Sequence, residues 1–80
     1  MNNDLLNRIV LDPRIMGGKP VIRGTRIPVE LLVRMVAQGI ADAEILKEYP
    51  RLDPLDIRAA LTYAADTLAH EEVYPVIATH

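Results

Sequence analysis

The chain has no cysteine, no serine, no phenylalanine and no tryptophan. Without cysteine there is no disulfide to staple a small fold and no thiolate to hold a metal. The two histidines, His70 and His80, do not have the spacing of a zinc ligand pair. With neither serine nor cysteine, and with both histidines near the C-terminus, no nucleophile and base constellation emerges. The expectation is a protein that is not an enzyme and takes no cofactor or metal. No apolar run approaches the ~20 residues of a membrane span. The start, Met1-Asn2-Asn3-Asp4-Leu5, has no basic region followed by an apolar stretch. A cytoplasmic protein with no membrane partner is therefore expected, and the missing cysteine suits that compartment.

What is present is apolar and small. Half of the 80 residues are hydrophobic, mostly Ala, Leu, Ile and Val, a composition suited to closely packed short helices. A chain of this length makes one domain and buries only about 60% of its unfolded surface. Pairing with a second copy is the expected source of further burial, so a homodimer is predicted. The net charge of -2 argues against coating nucleic acid by bulk charge. The distribution is uneven, however. Residues 13–29 carry four cations (Arg14, Lys19, Arg23, Arg26) and no acid, whereas residues 42–56 carry five acids against Lys47 and Arg51. A small dipolar domain can present a basic face despite its net charge.

Local signals place the elements. Leu5 to Arg8 is a short helical or extended lead-in, and Arg8 to Asp12 is rich in β-branched residues, which suits a strand. Asp12-Pro13 opens a turn, Gly17-Gly18 permits a tight reversal, and Pro20 to Arg23 forms a second short strand ended by Gly24-Thr25. Residues 1–27 thus form a hairpin-like arm with little to bury. Pro28 is expected at the first position of a helix that stops at Gly39. Asp42 is expected to cap a second helix, which Tyr49-Pro50 ends. Asp53 caps a third, with Pro54 at its first position and Asp56 in its first turn. Its apolar stripe is Ile57, Leu61, Ala64 and Leu68. The expected architecture is mainly α: a three-helix, helix-turn-helix core over residues 28–72, homeodomain-like or winged-helix-like. A small N-terminal β-hairpin arm and an apolar tail, 73–80, complete a single domain.

The functional signal is concentrated in Gly17-Gly18-Lys19-Pro20-Val21-Ile22-Arg23-Gly24-Thr25-Arg26-Ile27-Pro28, with three glycines, two prolines and three cations. A nucleotide-hydrolysing phosphate loop is excluded, because Lys19 is followed by Pro20 rather than Ser or Thr and the next helix is too distant. Two surfaces remain for nucleic acid. In a helix-turn-helix the start of the second helix meets base edges. Here that start offers Arg58 and Thr62 as readers, while Asp56 would repel phosphate. The basic arm offers Arg14, Lys19, Arg23 and Arg26 as phosphate ligands, with Arg51 and Arg58 assisting. The alternative is that these cations pair with the acids of the second and third helices, within or between subunits, and the surface is merely solvated.

The run from Asp12 to Val29 resembles the signature of the bacterial and archaeal domain-of-unknown-function family 433 (DUF433). Gln38-Gly39-Ile40, Ile45-Leu46-Lys47-Glu48-Tyr49-Pro50-Arg51-Leu52 and Asp56-Ile57-Arg58-Ala59-Ala60-Leu61-Thr62-Tyr63-Ala64 continue the match. The resemblance implies a homeodomain-like helix-turn-helix fold. It also implies an antitoxin-type regulator that binds its own operator DNA and a PIN-like toxin nuclease. Members often carry Ser where Ala41 stands, a cap that Asp42 is expected to replace. The other function consistent with these residues is a protein-interaction module, its helices structural and its tail a docking strand.

Overall fold

The computed structural model of the chain describes residues 3–70. Four helices and a two-stranded sheet follow in the order α1 (Asn3–Leu6), β1 (Ile9–Val10), β2 (Val21–Ile22), α2 (Val29–Ala37), α3 (Asp42–Glu48) and α4 (Pro54–His70). A single 3-10 turn, Met16–Gly18, lies between the strands. The strands pair antiparallel, Ile9 opposite Ile22 and Val10 opposite Val21. The domain is thus mainly helical with a small sheet near its N-terminus, as the patterning predicts.

The strands are shorter than expected, yet their segment is more deeply buried than expected. Val21 and Ile22 are each 1% exposed. Ile22 belongs to the same core as Val29, Leu32, Ile45, Leu52, Ile57 and Ala60. The arm is therefore part of the core rather than an appendage. The reason is a tight reversal that the sequence places correctly at Gly24. Gly24 takes φ of 77°, and the Ile22 amide donates to the Ile27 carbonyl at 3.0 Å while the Val29 amide donates to the Pro20 carbonyl at 2.9 Å. The Thr25 hydroxyl donates to the Ile22 carbonyl and accepts from the Ile27 amide. The doubled-back segment lays Val21 and Ile22 beneath the start of α2.

Two helix starts differ from expectation by one position. Pro28, extended at ψ of 142°, is the residue before the first turn of α2 rather than its first member. At α3 the capping position belongs to Ala41, with no side-chain hydrogen bond, and Asp42 is the first helical residue. Asp42 there favours the positive end of the helix through its charge alone. Gly39 ends the preceding helix as predicted, with φ of 84°. The start of α4 also matches: Asp53 Oδ1 accepts from the Leu55 and Asp56 amides, and Asp56 Oδ2 accepts from the Asp53 amide. This reciprocal arrangement satisfies amides that have no partner within the helix.

The apolar stripe drawn along α4 is buried at its first member, half-buried at Ala64 and exposed at the other two. Ile57 is buried, with Ala59 and Ala60, but Leu61 and Leu68 are exposed. The helix buries its first two turns against α2, α3 and the N-terminal segment. The expected tail, 73–80, lies outside the described residues.

Candidate nucleic-acid interface

The start of α4 is where the sequence places an unfavourable charge, and tertiary structure disposes of it. Asp56 is 7% exposed and faces the interior. Arg8, which leads into β1, donates from Nη1 to Asp53 Oδ1, Asp53 Oδ2 and Asp56 Oδ1 at 3.0, 3.1 and 3.0 Å. Hydrogen bonds to Asp56 and then to Asp53 raise the Arg8 guanidinium above its ordinary value. The Arg8 bond, aided by the Asp56 and Leu55 amides, holds the Asp53 carboxyl below the usual carboxylate range. Sequence reasoning missed Arg8. Nothing local marks it, because its acids lie 45 and 48 positions away.

With Asp56 turned inward, the outward face of this helix start is Leu55, Arg58 and half-buried Thr62. These residues recur at three- and four-residue steps and so share one face. Arg58 makes no hydrogen bond or ion pair among the described residues.

The structure brings a second group of cations to one joint. Arg51, in the turn between α3 and α4, donates from Nη2 to the Gly24 carbonyl at 2.8 Å. The turn that receives it carries Arg23 and Arg26 on either side of Gly24-Thr25. All three arginines are exposed. Arg23 is anchored by donating to the Asn7 carbonyl, whereas Arg26 has no hydrogen bond or ion pair among the described residues. Arg23, Arg26 and Arg51, separated by up to 28 positions in the chain, therefore belong to one ridge.

Arg14 and Lys19 do not join it through any bond. Arg14 is fastened to its own turn: its Nη2 lies 3.0 Å from Asp12 Oδ2, and its Nε and amide both donate to Asp12 Oδ1. The Arg14 side chain and then its amide pull the Asp12 carboxyl below the ordinary range. Lys19 Nζ lies 3.5 Å from Glu30 Oε1, and Arg34 pairs with the same carboxylate at 2.9 Å. Both cations are paired, but with Asp12 of the same turn and Glu30 of α2 rather than with the acids of the second and third core helices, α3 and α4. Such exposed pairs are worth ~0–1 kcal/mol each, which a phosphate contact would have to offset.

The glycine-rich turn offers no phosphate cradle. Met16, Gly17 and Gly18 all have positive φ, but the Gly18 and Lys19 amides donate back to the Ile15 and Met16 carbonyls. Among the described residues there is no group of three or more His, Asp or Glu side chains placed to hold a metal. No described helix is long and apolar enough to cross a membrane.

Fold and site together define a small helical domain with a two-stranded sheet folded into its core and exposed arginines where the turn before α2 meets the turn before its longest helix. The chain belongs to the family described as "Protein of unknown function (DUF433)", whose model matches residues 9–64. A crystal structure of a DUF433 member protein from Anabaena variabilis is similar to it with a TM-score of 0.74 and 40% identity, covering 84% of this chain and 66% of that one. An uncharacterized protein of Sinorhizobium fredii, y4eO, is 43% identical over 56 residues, which are 70% of this chain but 25% of that protein. This chain thus matches only a quarter of y4eO. An uncharacterized protein of Archaeoglobus fulgidus is 57% identical over 30 residues, 38% of this chain and 83% of its own.

Proposed function

We propose that this chain is an antitoxin-type regulator that binds its own operator DNA and a PIN-like toxin nuclease. The observation that carries the DNA half of the reading is the inward burial of Asp56 against Arg8. It turns inward the acid that the sequence places among the base-reading positions of α4 and leaves Arg58 and Thr62 outward, while the half-exposed cap Asp53 is paired with Arg8. In this reading α3 and α4 act as the helix-turn-helix pair. Arg58 and Thr62 meet the groove, and the ridge of Arg23, Arg26 and Arg51 grips backbone phosphates beside it. Arg14 and Lys19, already paired, make the smaller contribution. A homodimer would double this surface and match a two-fold operator. The toxin half rests on the family resemblance.

The test is a titration of upstream promoter DNA with the wild type and with Arg26→Ala plus Arg58→Ala, across salt. Neither arginine holds an internal bond among the described residues, so the fold is expected to survive. The wild type is expected to bind with a steep negative salt dependence. Each lost phosphate contact lowers the slope by about 1. Arg14→Ala plus Lys19→Ala is expected to weaken binding less. No binding of the wild type at low salt rejects the regulator and leaves the protein-interaction module, for which co-purification with the neighbouring gene product is the next measurement.

A further inference from the structure

A long groove runs between α2 and the second half of α4, with a volume of about 580 Å³. Its floor is apolar, formed by Pro20, Val29, Val33, Ala37, Ala64 and Leu68. At its rim Lys19 and Arg34 provide two cations against the single carboxylate of Glu30. We propose that this groove is the seat of the chain's own segment 73–77, Val73-Tyr74-Pro75-Val76-Ile77, folded back from the end of α4. The segment lies outside the described residues, and four observations select it over other occupants.

Position comes first. The chain leaves α4 at His70, two residues beyond Leu68 in the groove wall, and ten residues follow. Composition comes second, since the segment is five consecutive apolar or aromatic residues, a run that residues 1–72 do not match. Charge comes third: Glu71 and Glu72 precede the segment and complement the two cations at the rim. Length comes last. Pro75 disfavours continuation of the helix, and five extended residues span about 17 Å. The nine residues of α2 rise about 14 Å, so the segment matches the groove wall. The inference does not depend on DNA binding.

The chain contains no tryptophan, so Tyr74→Trp introduces a unique reporter into the full-length protein. Its emission is expected to be blue-shifted and protected from acrylamide, and to stay so over a wide dilution series. Ala37→Glu, an exposed groove position in a helix, is expected to return the emission to that of solvated indole while far-ultraviolet circular dichroism stays unchanged. Removing residues 73–80 is expected to raise binding of a hydrophobic dye several-fold. Solvent-like emission at every concentration overturns the proposal, as does protected emission that Ala37→Glu leaves untouched. Protection lost on dilution also overturns it and assigns the groove to a second copy. Should the truncated chain fail to fold, the tryptophan reporter still decides.

Discussion

The two ends of α4 are built from similar residues and have opposite fates. Around its start, Asp56, Ile57, Ala59 and Ala60 are buried, two carboxylates cap the helix, and Arg8 binds both. Toward its end, Ala65, Thr67, Leu68 and Ala69 are exposed, and the polar closure among the described residues is His70 Nδ1 against the Asp66 carbonyl. A helix of 17 residues stands against helices of nine and seven residues. Its first half packs into the core, whereas its second half is separated from α2 by the groove that both helices line, so periodicity that is real along all of it is buried along only part. Stability therefore resides at the start of α4, and the far end is free for other uses.

The sharpest way to break this contrast is to truncate two members of the same sequence stripe one turn apart. Ile57→Ala, in the core, is expected to cost about 2–5 kcal/mol, enough to consume much of the stability of so small a domain. Leu61→Ala, exposed at 38%, is expected to cost about 0.5 kcal/mol or less. Equal losses in urea unfolding would show that the exposed part of the stripe carries as much of the fold as the buried part.

A second comparison sets the capped helix start against the uncapped one. Asp56→Ala strips an acceptor from both Arg8 and the Asp53 amide and is expected to cost about 1–3 kcal/mol. Asp42→Ala removes no capping hydrogen bond at α3, so its effect is expected within about 0.5 kcal/mol. A comparable cost at both sites would place the contribution in helix-end charge rather than in the Arg8 network.

The smallest expected effect is a pH dependence. Asp53 is held below the ordinary carboxylate value of about 3.9 by Arg8. A depressed folded value stabilises the protein fully above the unfolded value, and this contribution disappears as pH falls through the folded one. Unfolding midpoints measured from pH 5 downward are expected to fall, and Asp53→Asn is expected to flatten part of that fall. Asp12 is likewise lowered, first by the Arg14 side chain, but its partner is two residues away and the pair persists in part without the fold. An unchanged acid profile for Asp53→Asn would detach the start of α4 from Arg8.

Much of this protein was determined by the sequence itself, wherever the deciding interaction is local. The stop at Gly39 follows from a backbone conformation that glycine adopts without strain. The start of α4 follows from Asp53, Pro54 and Asp56, whose carboxylates reach amides two or three residues away. The reversal at Gly24-Thr25 follows from a hydroxyl that bonds within its own turn. The one-position shifts at Pro28 and Asp42 belong to the same class, since adjacent turn geometries differ by little. What only the tertiary structure decided concerns residues whose partners are distant in the chain. The sequence of the arm does not announce that Val21 and Ile22 lie in the core, because that depends on where α2 lands. It assigns Asp56 an outward, repelling charge, and Arg8, 48 positions earlier, reverses that assignment. It sets Arg51 in a separate segment from Arg23 and Arg26, and one hydrogen bond to Gly24 joins the two segments. Burial and charge pairing are properties of the assembled surface, and chain spacing constrains them only over a turn or two of helix.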